Sequence, residues 1–170
     1  MNGRRGPSAE EGPRSISGEE GRAGTAAAHT AEHILSAVMR HRHGSPRPLE
    51  THLDGKKAKC DYAVRGPLGE AALRAIEAAV NAEIDADHAV SARLVSVEEA
   101  EGRFDLAKVP RDADRVRLIR IVDLDECPCA GEHVQRTSEI GRFEIASAEM
   151  TTAERVRIRF RLRPPSDSAA

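Results

Sequence analysis

The amino-acid sequence predicts an α+β fold in which a mainly antiparallel sheet packs with two long helices. Two stretches carry apolar residues at helical spacing, while several short β-branched segments follow one another without strict helix–strand alternation. Apolar residues make up 39% of the chain but aromatic residues only 2%, so the core must be aliphatic. Stacking of bases on aromatic side chains is thereby excluded as the main mode of any nucleic-acid binding.

The first long helix is expected over residues 25–42. Thr25 can cap its N-terminus, and the alanine run that follows favours helix propagation. Gly44 and Pro46 then end the helix. Its buried stripe is expected to comprise Ile34, Leu35 and Val38.

The second long helix is expected over residues 68–87, where apolar residues recur at spacings of three and four. A short helical turn is expected later in the chain, over residues 98–102. The apolar stripe of the long helix comprises Leu73, Ile76, Val80 and Ile84.

Six strands are expected. The first two, residues 49–53 and 58–64, are joined at Asp54-Gly55, a residue pair that favours a tight hairpin turn. The last two, residues 139–149 and 154–163, follow closely enough to form a hairpin or meander. The remaining strands are expected over residues 89–97 and 116–124.

The chain divides by composition into a tail, one domain and a second tail. Residues 1–24 and 164–170 are poor in apolar residues and are expected to be disordered, which leaves residues 25–163 as the domain. No apolar run approaches the length that spans a bilayer, and no secretory signal is visible. Three cysteines, an odd number, favour a reducing compartment, so we expect a cytoplasmic protein. A net charge of −2 excludes a polycation.

Two histidines of the first helix form half of a candidate metal site. His29 and His33 are four residues apart, which places both imidazoles on one face of a helix, one turn from each other. Such a pair is preorganised for a single ion. Taken alone, it is more often simply two surface residues.

The other half lies near the C-terminal end of the chain. Cys129 and His133 flank Gly131 and can close on one cation in a tight loop. The two halves together supply three imidazoles and one thiolate, the donors that Zn²⁺ prefers over Mg²⁺ or Ca²⁺. A closed structural zinc site remains an alternative to a catalytic one. Cys127 either competes as a ligand or is buried as a small apolar residue, and we expect the latter.

A basic strand is the candidate RNA-binding element. Its residues alternate perfectly between arginine and an apolar residue, which gives a strand one buried face and one row of guanidinium groups. Arginines suit contacts with phosphates, and Arg115, Arg117 and Arg120 extend the basic face. The alternative is a solvated sheet face neutralised by nearby glutamates. The predicted RNA-binding residues are Arg155, Arg157, Arg159 and Arg161, with Arg163 next in the row.

Two motifs in the chain resemble the editing domain of alanyl-tRNA synthetase and its free-standing relatives, the AlaX trans-editing proteins. The first is His-Thr-Ala-x-His, residues 29–33. The second is Cys-x-Gly-x-His-Val-x-x-Thr-x-Glu-Ile-Gly, residues 129–141. The editing domain of threonyl-tRNA synthetase has a similar pattern. Further matches lie at Ile76-Glu77, Asn81, Ile84, Cys60-Asp61-Tyr62 and Glu98-Glu99-Ala100, so the resemblance covers residues 25–163.

The resemblance implies a fold like these editing domains and zinc-dependent hydrolysis of mischarged aminoacyl-tRNA in trans. The implied substrate is Ser-tRNA(Ala) or Gly-tRNA(Ala), and the chain is expected to be of the short, stand-alone type. Thr30 is the candidate hydrogen-bond partner of a substrate hydroxyl, with Thr137 a weaker one; the alternative for Thr30 is a hydroxyl bonded back to the preceding helical turn. Two other functions stay open, a metal-free deacylase of the threonyl type and a non-catalytic zinc or RNA-binding module.

Three positions depart from the usual family motif. Ala130 stands for the first glycine of Cys-Gly-Gly-Thr-His, Glu132 for its threonine, and Ser138 for the glycine of Thr-Gly-Glu-Ile-Gly. Glu132 adds a carboxylate beside the metal loop. We expect it to act as a general base or to support a metal ligand, unless it is only a solvated side chain.

Overall fold

The computed structural model describes residues 17–54 and 58–165, with side chains from residue 24 onward. Two long helices are present, α1 (Ser17–His43) and α2 (Glu70–Asp85), together with a short helix α3 (Val97–Ala100). The first strands are β1 (Glu50–Leu53), β2 (Ala58–Ala63) and β3 (Val90–Ser96). The later strands are β4 (Arg115–Ile121), β5 (Asp125–Pro128), β6 (Arg142–Thr152) and β7 (Arg155–Arg163).

All strand pairings in the described residues are antiparallel, which confirms the α+β class. The strands form two sheets instead of the single one expected. Four of them lie in the order β1-β2-β7-β6 and three in the order β3-β4-β5. The first hairpin is present with Leu53 opposite Ala58, although Gly55 of its predicted turn lies outside the described residues.

The main core lies between the four-stranded sheet and the two long helices. The predicted stripe of α1 is buried in it, as are Ile76, Val80 and Ile84 of α2. Burial of such aliphatic side chains stabilises the fold by roughly 1.5–3 kcal/mol each. A second, smaller cluster comprises Val95, Ala100, Val116 and Leu118 under the three-stranded sheet.

Two side chains dock α2 onto β6. Asn81 is buried and pairs with both backbone groups of Phe143, donating to its oxygen at 2.9 Å and accepting from its nitrogen at 3.0 Å. Glu77 accepts from the backbone nitrogen of Ile145 at 2.7 Å. These bonds satisfy backbone N–H and C=O groups of β6, the edge strand of the sheet, so they fix the position of α2 along this strand.

The first helix begins at Ser17, eight residues before the predicted start at Thr25. The Gly- and Glu-rich composition of residues 17–24 predicted a tail, but once a helix is nucleated each further residue adds a hydrogen bond at low cost. Residues 1–16 of the predicted N-terminal tail and residues 166–170 of the C-terminal one lie outside the described residues. None of the helices in the described part of the chain has the length and apolar character needed to cross a membrane.

Two further differences concern the region after residue 121. Strand β5 was not predicted, because its four residues include Pro128 and two acidic residues. Residues 137–140 form a 3₁₀ turn where a strand was expected to begin, so β6 starts at Arg142. Gly141 separates the turn from the strand with φ 82°, a backbone conformation that favours glycine.

Candidate metal site

Helix α1 supplies the first half of the site. His29 and His33 lie one turn apart on the same side of the helix, as predicted. His29 is half-buried, and His33 is only 3% exposed. Because neighbouring Ile34 and Leu35 are fully buried in the core, the helix cannot rotate to expose the two imidazoles.

The second half is the loop that leaves β5. Arg117 of neighbouring β4 holds this loop through both its backbone oxygen and its guanidinium group. Its backbone oxygen accepts from the nitrogen of Cys129 at 3.1 Å, and its Nη1 donates to the carbonyl oxygens of Cys129 at 3.1 Å and Gly131 at 2.7 Å. The loop therefore presents Cys129 and His133 towards α1.

Gly131 is the point of closest approach between the two halves. A Cβ atom at this position would overlap Nδ1 and Cε1 of the His29 ring. A larger residue would therefore displace either the loop or the imidazole. The adjacent Ala130, a departure from the family motif, is exposed and lies among the residues that line a groove beside the site.

Three of the four predicted ligands form one group. The ligand atoms of His29, Cys129 and His133 all lie within 4.8 Å of one another. Nε2 of His133 is 3.3 Å from the Cys129 sulfur, and Nδ1 of His29 is 4.0 Å from it. Two imidazoles and a thiol at these separations could hold a metal ion.

The thiol of Cys129 is set up to ionise. Burial alone would raise its pKa, but hydrogen bonding to His133 and then to His29 and His33 outweighs burial and lowers the pKa to about 3. Metal ions bind the thiolate and not the thiol. The donor chemistry therefore fits a soft or borderline cation.

Thr30 fixes the orientation of the His133 ring. The Thr30 hydroxyl is fully buried and donates to the carbonyl oxygen of Ala26 at 3.0 Å. The 3.0 Å contact between the same hydroxyl and Nδ1 of His133 holds the imidazole in place. When a metal takes the lone pair of Nε2, which faces Cys129, Nδ1 carries the ring proton and the Thr30 oxygen accepts it.

The hydrogen bonds of Thr30 differ from those expected for its predicted role. Its hydroxyl was expected to contact a substrate, with back-bonding to the preceding turn as the alternative. The structure has the back-bond, and Thr30 is not among the residues that line the neighbouring groove. Thr137, the weaker candidate, is also fully buried, and its hydroxyl donates to backbone oxygens near the end of α2.

Replacing Thr30 by Val is expected to lower the affinity for zinc by about 10–100-fold, because the His133 Nδ1–H loses its acceptor and the ring its orientation. The measurement is a competition titration with a chromophoric chelator. Thr30→Ser keeps the hydroxyl and serves as the matched control. Full zinc affinity in Thr30→Val together with a loss in Thr30→Ser would contradict the orienting role, because Val keeps the methyl group and Ser keeps the hydroxyl.

His33, the fourth predicted ligand, lies in a neighbouring group. Its Nδ1 is 3.5 Å from Oδ2 of Asp125 and 3.5 Å from the sulfur of Cys127, and all three residues are buried. Its ring centroid nevertheless lies 4.6 Å from that of His133. Three of the four predicted ligands therefore form one group, and His33 lies next to that group. His33 itself contacts Asp125 and Cys127.

Asp125 is the residue of the candidate site that sequence reasoning missed. Its carboxylate is 1% exposed and accepts from Arg47 at 2.7 Å and from Arg40 at 3.1 Å, besides contacting His33. Burial alone would raise its pKa, but bonding to His33 and Arg47 holds the pKa far below its usual range. An acidic residue among neighbouring acidic residues carries no sequence signal of burial, so only the fold reveals the burial of Asp125.

Cys127 was expected to be a buried apolar residue. It is buried, but its sulfur contacts the His33 ring. The Pro128 between the two cysteines does separate their thiols, which face different histidine groups. Cys127 therefore retains the other role considered for it, that of a competing ligand.

A groove of about 1280 Å³ opens beside the metal group. Glu32 lines it, whereas Glu132, the predicted catalytic carboxylate, is exposed and does not. The interpretation of Glu132 as a solvated side chain therefore fits the structure better. The groove is also lined by His29, His33, Cys129, Gly131, Arg115 and Arg117.

The arginine row of β7 is paired with carboxylates. Asp61 bonds both Arg155 and Arg157, with the Asp61 Oδ1 to Arg157 Nε distance at 2.7 Å. Arg159 bonds Glu149 at 2.9 Å and Arg161 bonds Glu144 at 2.7 Å. Arg163 also pairs with Glu144. These contacts favour the alternative of a neutralised sheet face over a free RNA-binding surface.

Comparison with known proteins identifies similar chains. Residues 116–159 match the threonyl and alanyl tRNA synthetase second additional domain. The alanine–tRNA ligase of Aromatoleum aromaticum is 33% identical over 130 residues, which cover 75% of this chain and 15% of the relative. Those of Nitrosospira multiformis and Acidithiobacillus ferridurans are each 34% identical, over 80% and 76% of this chain and 16% and 15% of the relatives.

The chain thus spans only about 15% of the length of the curated relatives it matches. The match includes β4, β5 and the metal loop, which carry Arg117, Asp125 and Cys129. Similarity over three quarters of this chain and the matching domain model confirm that it resembles the editing-domain family of alanyl- and threonyl-tRNA synthetases.

Proposed function

We propose that this chain is a zinc-dependent deacylase that hydrolyses mischarged aminoacyl-tRNA in trans in the cytoplasm. The observation that carries the proposal is the convergence of His29, Cys129 and His133 within 4.8 Å at the edge of an open groove. The similarity to the editing-domain family supports the substrate class, an ester between an amino acid and tRNA. Ser-tRNA(Ala) is the proposed main substrate and Gly-tRNA(Ala) the second.

His33 is proposed as the fourth ligand. Its Nδ1 faces Asp125, so Nε2 is the nitrogen left for a metal, as in other sites where a carboxylate holds a metal-binding histidine. Three imidazoles and one thiolate are a donor set that suits zinc. When bound, zinc supplies Lewis-acid chemistry, which activates water and polarises an ester carbonyl.

The residues of the chain itself do the positioning. Thr30 and Asp125 orient two of the imidazoles, and Arg117 fixes the loop that carries the thiolate. The groove accepts the aminoacyl end of the tRNA. Among the described residues, Arg115 and Arg117 border it with only backbone carbonyl partners, so they are better placed for phosphate contacts than the paired arginines of β7.

A deacylation assay tests the function. The purified chain is expected to hydrolyse seryl- and glycyl-tRNA(Ala) and to leave alanyl-tRNA(Ala) intact, and elemental analysis is expected to find one zinc per chain. Removing zinc with a chelator should abolish hydrolysis, and adding zinc back should restore it.

Two results would overturn the proposal. Unchanged hydrolysis after zinc removal would favour the metal-free deacylase of the threonyl type. Bound zinc without hydrolysis of any aminoacyl ester would favour the non-catalytic module.

A further inference from the structure

Glu32 is a buried carboxylate to which the proposed chemistry assigns no role. It is 9% exposed, lies between His29 and His33 on α1 and lines the groove with His29 and Cys129. A carboxylate removed from water is costly unless a cation or hydrogen bonds compensate it. Its surroundings therefore indicate what it binds.

One oxygen of Glu32 is held in place by the protein. Ser36 donates to Oε1 at 2.6 Å and lies 2.9 Å from the hydroxyl of Tyr62. Because Ser36 gives its single proton to Glu32, Tyr62 must be the donor in the second bond. Complete burial raises the pKa of Tyr62 well above its usual value, so the phenol keeps that proton. The chain of three side chains fixes the direction of the carboxylate.

The other oxygen, Oε2, has no hydrogen-bond donor among the described residues. The basic nitrogen within 4 Å of it is Nε2 of His33, at 3.8 Å, which is too long for a hydrogen bond. No fully buried polar side-chain atom in the described part of the chain lacks a partner, so Oε2 must be accessible from the groove. It is thus an oriented acceptor beside the nitrogen of His33 that is proposed to bind zinc.

We infer that Glu32 binds the α-ammonium group of the aminoacyl ester, an inference that rests on the proposed function. In such an ester the amine is attached to the carbon next to the reacting carbonyl. A carbonyl placed at the metal ligands therefore brings the amine to a neighbouring position on α1, where Glu32 follows Thr30 and precedes His33. Direct ligation of zinc by Glu32 is less favourable, because it would fill the further coordination position that water or the ester carbonyl needs beside the four proposed ligands.

The inferred contact determines specificity. A charge-assisted hydrogen bond favours esters with a free amine over esters in which the amine is blocked or replaced. The enzyme would thus hydrolyse aminoacyl-tRNA and spare peptidyl-tRNA, whose amine is an uncharged amide.

The test compares seryl-tRNA(Ala) with its α-hydroxy analogue, in which a hydroxyl replaces the amine at nearly the same size. The wild-type chain is expected to prefer the amine at least about tenfold in kcat/KM. Glu32→Gln keeps the acceptor for Ser36 but loses the charge. It should lower kcat/KM for the amine by about the same factor and leave the hydroxy ester within about twofold.

Zinc content, measured for every variant, should not change. Glu101→Gln, an exposed glutamate next to α3, is the matched control and should keep the wild-type preference. Glu32→Asp retains the negative charge and should retain part of the preference for the amine ester.

Four results would overturn the inference: no preference in the wild type, an unchanged preference in Glu32→Gln, equal losses on both esters, or a loss of zinc. All four leave the proposed function intact as long as the wild-type chain hydrolyses seryl-tRNA(Ala). A wild-type chain that hydrolyses neither ester refutes the proposed function itself, together with the inference.

Discussion

Cys129→Ser is expected to abolish zinc binding and to slow hydrolysis of seryl-tRNA(Ala) by at least about a hundredfold. The wild-type thiol has its pKa lowered to about 3, so it is a thiolate at neutral pH. A serine hydroxyl stays protonated and is a poor ligand for zinc. Elemental analysis measures the metal, and single-turnover deacylation measures the rate.

Cys60→Ala provides the control for this experiment. Cys60 is fully buried in the main core and is not part of either histidine group. Its replacement should cost some stability but preserve the zinc content. If Cys129→Ser retains a full zinc equivalent, Cys127 has taken its place or the metal lies elsewhere, and the proposed ligand set is wrong.

Asp125→Asn is expected to lower the free energy of unfolding by about 2–3 kcal/mol. The wild-type carboxylate is 1% exposed and neutralises Arg40 and Arg47 while it holds His33. An amide has no charge and cannot satisfy all three partners. The expected loss lies below the ~3–5 kcal/mol typical of fully buried pairs because both arginines are about one third exposed. Urea unfolding of the metal-free protein measures the change.

The same variant should have a different dependence of stability on pH. The folded pKa of Asp125 lies far below that of the unfolded chain, about 4, so its stabilisation is present above pH 4. It is lost as the pH falls towards the folded pKa. Stability of the wild type should therefore fall more steeply with acidification than that of Asp125→Asn. Parallel curves would show that the Asp125 contacts do not contribute to stability.

Local patterns predicted the secondary structure better than its assembly. The stripe of α2 and the hairpin of β1 and β2 depend on neighbours in the sequence, and both are present. The pairing of β2 with β7, which joins Asp61 to Arg157 across most of the chain, has no local signal. For the same reason the division into two sheets could not be read from alternation of apolar residues, since alternation does not identify the partner strand.

The part of the candidate site that depends on residue type and spacing could be predicted from the sequence. Histidines four apart on a helix and a Cys–His loop around glycine pointed to side chains that the structure places in two neighbouring groups able to hold a metal ion. Residues that act on those donors were not predictable, because an aspartate such as Asp125 acquires its role only through burial. The charge balance of β7 likewise depends on register, which sets Glu149 opposite Arg157 and Glu144 opposite Arg161.

The contact of Gly131 with the His29 ring constrains how this sequence can diverge. A hydrogen atom is all that position 131 tolerates, whereas the exposed position immediately before it already carries the methyl group of Ala130. The steric limit on substitutions therefore differs from one loop position to the next. Genetic drift can alter the exposed positions of the loop, but position 131 must remain glycine for as long as the loop packs this closely against α1.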